Sequence, residues 1–140
     1  MILMKKAIRA ALVILAVFVA VSCTKTASNT FALLGSWELL RTDITTGGHT
    51  ETEYPRYTTI LEFHSGDEYV LTEASLGGTT TMTGRWYVDE DIVTLTQANG
   101  GRRVYHIEET GFSKLVLSET ITENGVTTVY RDVYKAVSLK

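Results

Sequence analysis

Residues 114–137 read KLVLSETITENGVTTVYRDVYKAV, and this stretch decides the fold class. Apolar and polar residues alternate on both sides of Asn124-Gly125, and Val, Thr and Tyr recur throughout. Alternation with a period of two is typical of a half-buried strand, and these residue types suit a pleated sheet. Asn-Gly favours a two-residue hairpin turn, because both central positions need a positive φ. The stretch therefore predicts two antiparallel strands joined by a tight turn.

The same alternation continues upstream, so the chain from residue 35 onward is organised as a series of short strands. Turn signals separate the runs, and no stretch has the period of a long helix. Eight strands are predicted: Gly35–Ile44, Thr58–Phe63, Glu68–Ala74, Thr79–Val88, Ile92–Gln97, Arg102–Glu108, Lys114–Glu123 and Val126–Val137. They favour an all-β fold, an eight-stranded antiparallel up-and-down β-barrel, because closure removes exposed sheet edges. The longest connection, residues 45–56, is expected to form a lid at one barrel mouth.

The N-terminal residues carry the pattern of a secretory signal and are set apart from the fold. Lys5, Lys6 and Arg9 form a short basic region, and residues 10–21 form an unbroken apolar run. A helix needs about 20 apolar residues to cross a bilayer core of about 30 Å, so this run is too short to span a membrane. We therefore predict that residues 1–22 are a signal peptide.

The residues at the end of this signal indicate a lipid anchor. Ala20-Val21-Ser22-Cys23 resembles the bacterial lipoprotein box, in which the cysteine receives acyl chains such as palmitate and becomes the mature N-terminus. Cys23 is also the only cysteine, so no intramolecular disulfide can form. Residues 23–30 are polar and free of acidic side chains, which predicts a flexible tether. Because no Asp follows Cys23, the resemblance implies an outer-membrane lipoprotein that faces the periplasm.

The net charge of the mature chain argues against some classes of binding partner. The sequence has 13 basic and 16 acidic residues, and the signal removes three basic ones and no acidic one, which leaves a net charge of −6. Nucleic-acid binding usually needs a basic stripe, which this sequence lacks. An acidic surface repels anionic lipid, so we expect membrane contact through the anchor alone. Residues 31–140 have room for one domain, expected to be a monomer, with a helical turn at residues 31–34.

Leu34-Gly35-Ser36-Trp37 resembles the Gly-x-Trp motif on the first strand of lipocalins. The chain is more specifically similar to the short lipocalin-like domains of Bacteroidetes lipoproteins, and the pattern continues through Phe63, Gly66, Tyr69, Gly84, Trp86, Val93, Leu95, Tyr105, Ile107, Leu115 and Leu117. This resemblance implies a lipocalin-like barrel. It also implies that Trp37 covers the closed end of the barrel and that Arg131 lies against the indole face of Trp37. Such a cation–π contact contributes about 0.5–2 kcal/mol.

Residue types that support catalysis or metal binding are present but scattered. His49 and His64 lie in predicted loops and His106 within a strand, so their spacing does not form a paired metal site. The acidic turns at residues 89–91 and 108–109 are compatible with calcium, although acidic hairpin turns are the more common interpretation. We therefore expect no catalytic residues, no bound metal, no cofactor and no enzymatic activity.

The predicted barrel interior leaves two hypotheses open. Its inward-facing residues are expected to be Leu61, Phe63, Tyr69, Leu71, Trp86, Val88, Val93, Leu95, Tyr105, Ile107, Leu115 and Leu117. These side chains either fill an eight-stranded barrel or line a ligand cavity. A cavity favours a small amphipathic or hydrophobic ligand, whereas a filled barrel favours an interaction module or hydrolase inhibitor that contacts a periplasmic protein through its loops. The candidate ligand-binding residues are Tyr54, Arg56, Tyr57, Tyr69, Trp86 and Tyr105.

Overall fold

A computed structural model describes residues 24–137 of the chain. The predicted signal peptide at residues 1–22, the predicted acylation site Cys23 and residues 138–140 lie outside the described part. Residues 24–33 are helical, and among the described residues no helix is long and apolar enough to cross a bilayer. The strands that follow are β1 (Gly35–Thr46), β2 (His49–Glu53), β3 (Thr59–Phe63), β4 (Glu68–Ser75), β5 (Gly78–Asp89), β6 (Ile92–Gln97), β7 (Arg102–Thr110), β8 (Lys114–Glu123) and β9 (Val126–Ala136).

Eight of these strands close an antiparallel barrel, which confirms the fold class predicted from the sequence. From β3 to β9 each strand pairs with the next along the chain, and β1 pairs with both β3 and β9. The predicted turn at Asn124-Gly125 is also present: both residues have a positive φ, 51° and 77°, and the turn joins β8 to β9. Tight turns between neighbours therefore build the meander that the sequence indicated.

The prediction that residues 45–56 form an irregular lid is wrong for most of that segment. β1 continues to Thr46 and turns through Gly47-Gly48, whose φ values of 57° and 79° are those a two-residue hairpin turn requires. β2 then pairs back along β1, from Thr46 opposite His49 to Thr42 opposite Glu53. Every residue of β2 is exposed, so the strand lacks the apolar alternation by which a half-buried strand is recognised. Only the connection 54–58 remains irregular.

The expectation of a flexible tether with one helical turn after it is also wrong, because the helix spans residues 24–33. Hydrogen bonds fix it to the turn between β5 and β6: the Asn29 amide donates to the Glu90 carbonyl at 2.6 Å, and the Glu90 N–H donates to the Thr26 hydroxyl at 2.9 Å. Leu33, at its end, is completely buried. These tertiary contacts stabilise a helix that the polar sequence alone does not favour.

The core lies where the inward-facing pattern placed it. Eleven of the twelve predicted inward residues are buried in one apolar cluster, and the twelfth, Leu71, is partly buried against it. Leu33, Trp37 and Tyr134 complete the cluster. Burying apolar side chains of this size contributes about 1.5–3 kcal/mol each. This packing therefore accounts for much of what holds the barrel together.

The two ends of the barrel differ in how far neighbouring strands remain paired. We call the end that carries the helix and the turns at residues 64–67, 90–91 and 111–113 the closed end, and the opposite end the open end. Toward the open end β4 and β5 stay paired as far as Ser75 and Gly78, whereas β5 and β6 separate beyond Gly84 and Gln97. The open half therefore divides into hairpins, and the closed half is a continuous wall.

Candidate functional site

Trp37 lies at the closed end, where the helix meets β1. Its side chain is buried, and its indole N–H donates to the carbonyl of Leu33 at 2.9 Å. Across the sheet, Trp37 is opposite Leu61 on one side and Ala136 on the other. Because the last residues of the helix sit directly on the indole, Trp37 couples the helix to the floor of the barrel.

Arg131 does not lie against Trp37, so that expectation from the lipocalin resemblance is wrong. On β9 the residue opposite Trp37 is Ala136, and Arg131 is five residues further along, opposite Asp43. Five residues of a strand span about 17 Å, which is beyond the reach of the side chain. The guanidinium instead pairs with both oxygens of Glu108 on the outer surface, with Nη2 at 3.0 Å from Oε1. This pairing raises the pKa of Arg131 and lowers the pKa of Glu108.

Three of the predicted ligand-binding residues, Tyr69, Trp86 and Tyr105, pack in the core. The Trp86 indole donates to the carbonyl of His64 at 3.1 Å and meets the ring of Phe63 edge-on, with centroids 4.9 Å apart. Burial raises the pKa of the Tyr69 hydroxyl and raises the pKa of Tyr105 to about 12, so both stay neutral at ordinary pH. These side chains fill the barrel floor and do not surround an open cavity there.

Above this floor lies a layer of charged and polar side chains that sequence reasoning missed. Arg103 Nη2 is 2.6 Å from Glu119 Oε2, and the guanidinium lies over the ring of Tyr105 with 5.4 Å to its centroid. The Thr42 hydroxyl donates to Asp132 at 2.8 Å. We call Thr42, Arg103, Glu119 and Asp132 the polar layer. Burial raises the pKa of Asp132, although the bond from Thr42 and the charge of Arg103 oppose this shift.

The sequence did contain a signal for the polar layer. Arg103 is in phase with Tyr105 and Ile107, and Glu119 is in phase with Leu115 and Leu117, so the period of two places both inside the barrel. The same period, extended by one step beyond the apolar residues of each strand, predicts that Arg103 and Glu119 point inward.

The other three predicted residues, Tyr54, Arg56 and Tyr57, come together at the connection 54–58. This connection interrupts the wall between β2 and β3 and separates two cavities, of about 650 and about 540 Å³. The smaller one reaches inward and is lined by Leu39, Thr42, Glu53, Tyr54, Pro55, Arg56, Tyr57, Thr59, Glu73, Ala74, Ser75 and Thr80. Tyr54 is 74% exposed and Tyr57 is 40% exposed, so their rings are available to a bound molecule.

The smaller cavity borders the polar layer at Thr42, which lines the cavity and donates a hydrogen bond to Asp132. Its wall carries an apolar group in Leu39, the two tyrosine rings, the Arg56 guanidinium and the carboxylates of Glu53 and Glu73. A site for a small molecule combines apolar lining with a few polar groups and usually exceeds about 300 Å³. We call this the side cavity and treat it as the candidate binding site.

The three histidines do not line the side cavity: His64 and His106 lie toward the closed end, and His49 is exposed at the tip of the β1–β2 hairpin. His106 Nε2 is 3.0 Å from Asp91, which also lies 3.8 Å from Lys25 at the start of the helix. The bond from His106 lowers the pKa of Asp91. His49 and His64 each lie near a glutamate, at 3.6 and 4.0 Å. Within residues 24–137 no three His, Cys, Asp or Glu side chains converge in a way that could hold a metal ion.

Comparison with known proteins identifies the fold. No protein-family model matches the sequence, and no curated protein matches it. A solved structure of an uncharacterized protein from Bacteroides eggerthii is similar with a TM-score of 0.51 and 13% identity, over 71% of this chain and 98% of that one. Lobster apocrustacyanin A1 is similar with a TM-score of 0.54 and 15% identity, over 80% of this chain and 64% of that one.

The fold is lipocalin-like. Apocrustacyanin C1 agrees, with a TM-score of 0.52 and 15% identity over 74% of this chain. This chain spans 60% of the length of apocrustacyanin C1 and 64% of the length of apocrustacyanin A1. At these identities the likeness extends to the fold alone.

Proposed function

We propose that this protein is a lipid-anchored, lipocalin-like binding protein of the bacterial envelope that takes a small amphipathic molecule into the side cavity. The observation that carries this proposal is the division of the barrel into a filled floor and an open half with a cavity of about 540 Å³. The site therefore lies at the mouth of the barrel and not at its centre.

The lining of the side cavity supports an amphipathic ligand over a purely apolar one. Leu39, Pro55 and the rings of Tyr54 and Tyr57 offer apolar contact. Arg56 and the two carboxylates offer polar contact on the same wall, and Thr42 leads inward to the polar layer. Tyrosine suits such a site because its ring gives contact area and its hydroxyl gives a hydrogen bond.

Ligand binding is tested with N-phenyl-1-naphthylamine, an amphipathic dye whose fluorescence rises in apolar surroundings. We expect saturable binding that Tyr57→Ala weakens about tenfold, which corresponds to about 1.4 kcal/mol. Tyr87→Ala is the matched control, because Tyr87 is 54% exposed on β5 and lies outside the side cavity. Equal loss in both variants, or no saturable binding by the unmodified protein, contradicts the proposed site.

The anchor is the second part of the proposal, and it rests on the lipoprotein-box residues and on the single cysteine that ends them. We propose that acylated Cys23 holds the protein at the outer membrane with the barrel in the periplasm. Cys23→Ala should move the protein from membrane fractions to the soluble fraction. If that variant stays with the membrane as completely as the unmodified protein after a salt wash, the anchor is wrong.

An interaction module is the alternative function, and the filled floor of the barrel is the observation that favours it. Tyr69, Trp86 and Tyr105 occupy the space that a ligand takes in a hollow barrel. In this alternative the exposed β1–β2 hairpin and the connection 54–58 contact a periplasmic protein such as a hydrolase. We propose no catalytic role in either case, because the histidine–carboxylate pair of His106 and Asp91 lies on the outer surface and not in a cleft.

A further inference from the structure

Apolar side chains cluster on the surface of the closed end. Phe31 on the helix is 79% exposed, Leu34 is 37% exposed, and Phe112 in the turn between β7 and β8 is fully exposed. A groove of about 560 Å³ runs between them and continues to Ala136 and Val137. We call Phe31, Leu34 and Phe112 the closed-end patch. Grouped exposed aromatic residues commonly mark a surface that binds a membrane or a partner.

The closed-end patch faces away from the barrel. One side of the helix is turned to the barrel, because Thr26 and Asn29 bond to Glu90 and Leu33 is completely buried. Phe31 therefore lies on the opposite side of the helix, and Phe112 projects from a turn at the same end. Both side chains lie beside the same groove, so one surface can cover them together.

No flexible linker separates the predicted acylation site from the helix at the closed end. The helix already includes residue 24, so a lipid on Cys23 is attached directly to a structured segment. Phe31 lies seven residues along the helix from Thr24, which is about 10 Å at 1.5 Å per residue. An acylated Cys23 therefore holds the closed end, and not the open end, at the bilayer surface.

Two carboxylates at the closed end are paired with cations. Glu109 beside the turn is 3.4 Å from the Lys114 amine, and Asp91 beneath the start of the helix lies near Lys25 and His106. These carboxylates are therefore partly neutralised by neighbours. Phe31 and Phe112 are largely exposed, and exposed aromatic residues close to a lipid anchor suit insertion among lipid headgroups.

We propose that the closed-end patch inserts into the headgroup region of the bilayer and holds the barrel with its open half directed away from the membrane. The inference rests on the anchor proposed above, and it revises the expectation that the anchor alone touches the membrane. Its consequence is that the side cavity faces the periplasmic space and stays accessible to soluble molecules.

The first test measures immersion of a spin label at each end of the barrel. Acylated protein carrying Phe112→Cys or Leu76→Cys is labelled and reconstituted into phosphatidylcholine vesicles. Leu76 is the matched control, because it is 95% exposed in the turn between β4 and β5 at the open end. We expect vesicles to reduce collisions between the Phe112 label and a water-soluble nickel complex severalfold and to leave the Leu76 label unchanged.

The outcomes separate the two proposals. If the protein sediments with vesicles but both labels stay in water, the anchor stands and bilayer docking is wrong, which leaves the closed-end patch to a protein partner. If the protein does not sediment at all, the anchor itself is wrong. A Leu76 label that is shielded as strongly as the Phe112 label overturns the proposed orientation.

A second measurement does not depend on the anchor. The mature chain, which begins at residue 23 and carries Cys23→Ala, is titrated with phosphatidylcholine vesicles, alone and combined with the pair Phe31→Ser and Phe112→Ser. We expect the serine pair to weaken partitioning at least tenfold, and Leu76→Ser to leave it unchanged. Equal partitioning with and without the serine pair overturns bilayer docking whatever the state of Cys23.

Discussion

The closed half and the open half of this barrel use the same strands for different purposes. In the closed half the two tryptophans are buried, and each indole donates to a backbone carbonyl, that of Leu33 for Trp37 and that of His64 for Trp86. In the open half several inward side chains, such as Arg103, Glu119 and Asp132, are charged or polar, neighbouring hairpins separate, and cavities enter the wall. One half is built for stability, and the other has room to bind.

The difference shows how a short barrel can hold both a core and a binding site. An eight-stranded barrel is barely wide enough for its own side chains, so filling the floor leaves little internal space. The cavity has instead formed where β2 and β3 are interrupted by residues 54–58. Stability is expected to vary along the axis in the same way, because regions with few buried apolar contacts open at lower free energy.

The largest expected loss of stability comes from a substitution in the closed half. Trp37→Ala removes a buried aromatic ring and its hydrogen bond to Leu33, so we expect it to lower the free energy of unfolding by about 3–5 kcal/mol. Urea denaturation followed by circular dichroism measures the loss. Tyr54→Ala in the open half is the comparison, and we expect a change within about 0.5 kcal/mol because its side chain is exposed. Similar losses in both variants would mean that the two halves do not differ in stability.

The second prediction concerns Gly84, where β5 passes from the closed half to the open half. A Cβ there would lie 2.3 Å from the backbone oxygen of Thr96 and 2.6 Å from the ring of Tyr69. Gly84→Ala therefore forces backbone or core to shift, and we expect a loss of about 1–3 kcal/mol in the free energy of unfolding. Gly111→Ala is the control, because its nearest neighbour, the Lys114 oxygen, is 3.7 Å away. An unchanged urea midpoint for Gly84→Ala would show that the Thr96 backbone and the ring of Tyr69 both move aside without cost.

The third prediction tests the polar layer by pH. The pKa of Asp132 is raised above its ordinary value of 3.8, mainly by burial, so the folded state favours the protonated acid. The stability that Asp132 gives is therefore complete below that ordinary value and is lost as the pH rises through the folded-state pKa. Asp132→Asn keeps an acceptor for Thr42 without the charge, and we expect it to gain up to about 1 kcal/mol at pH 7 relative to the unmodified protein.

Urea midpoints of both proteins from pH 3 to pH 7 measure this difference directly. The gain of Asp132→Asn should shrink as the pH falls and disappear below the ordinary pKa of an aspartate. A gain that is constant across this range would show that the charge of Asp132 is not the cause. A loss at pH 7 would show that ionised Asp132 is needed to hold Arg103, whose charge lowers the pKa of Asp132.

The sequence predicted the closed half better than the open half, for a physical reason. Alternation of apolar residues marks strands that bury one face, so all eight barrel strands and the twelve inward residues were found. β2 has no buried face and was missed. The sequence predicts a tether at residues 23–30 and one helical turn at residues 31–34. It does not predict the helix at residues 24–33, because the stability of that helix comes from contacts with Glu90 and from the burial of Leu33.

The predicted ligand-binding residues also divide between the open half and the closed half. Tyr54, Arg56 and Tyr57 were expected at an entrance and do lie beside the side cavity, whereas Tyr69, Trp86 and Tyr105 pack in the core. An aromatic residue at an inward position has the same sequence signal whether it fills space or lines it. Whether the side chain fills the core or lines a cavity depends on the total volume of all the core side chains, and this volume cannot be judged from the sequence of one strand.

The smallest expected effect concerns Arg131, which the lipocalin resemblance wrongly placed against Trp37. Arg131 pairs with Glu108 on the outer surface, where its side chain is 41% exposed and that of Glu108 is 27% exposed. Exposed ion pairs contribute little, so Arg131→Met should lower the free energy of unfolding by only about 0.5 kcal/mol. Methionine keeps an unbranched apolar stem, which limits the loss of packing. If Arg131 stacked on Trp37 in solution, the substitution would shift the emission of the buried indole and cost as much as a core residue. A small change in urea midpoint with unaltered tryptophan emission places Arg131 on the outer wall, and leaves closure of the floor to Trp37 and the helix.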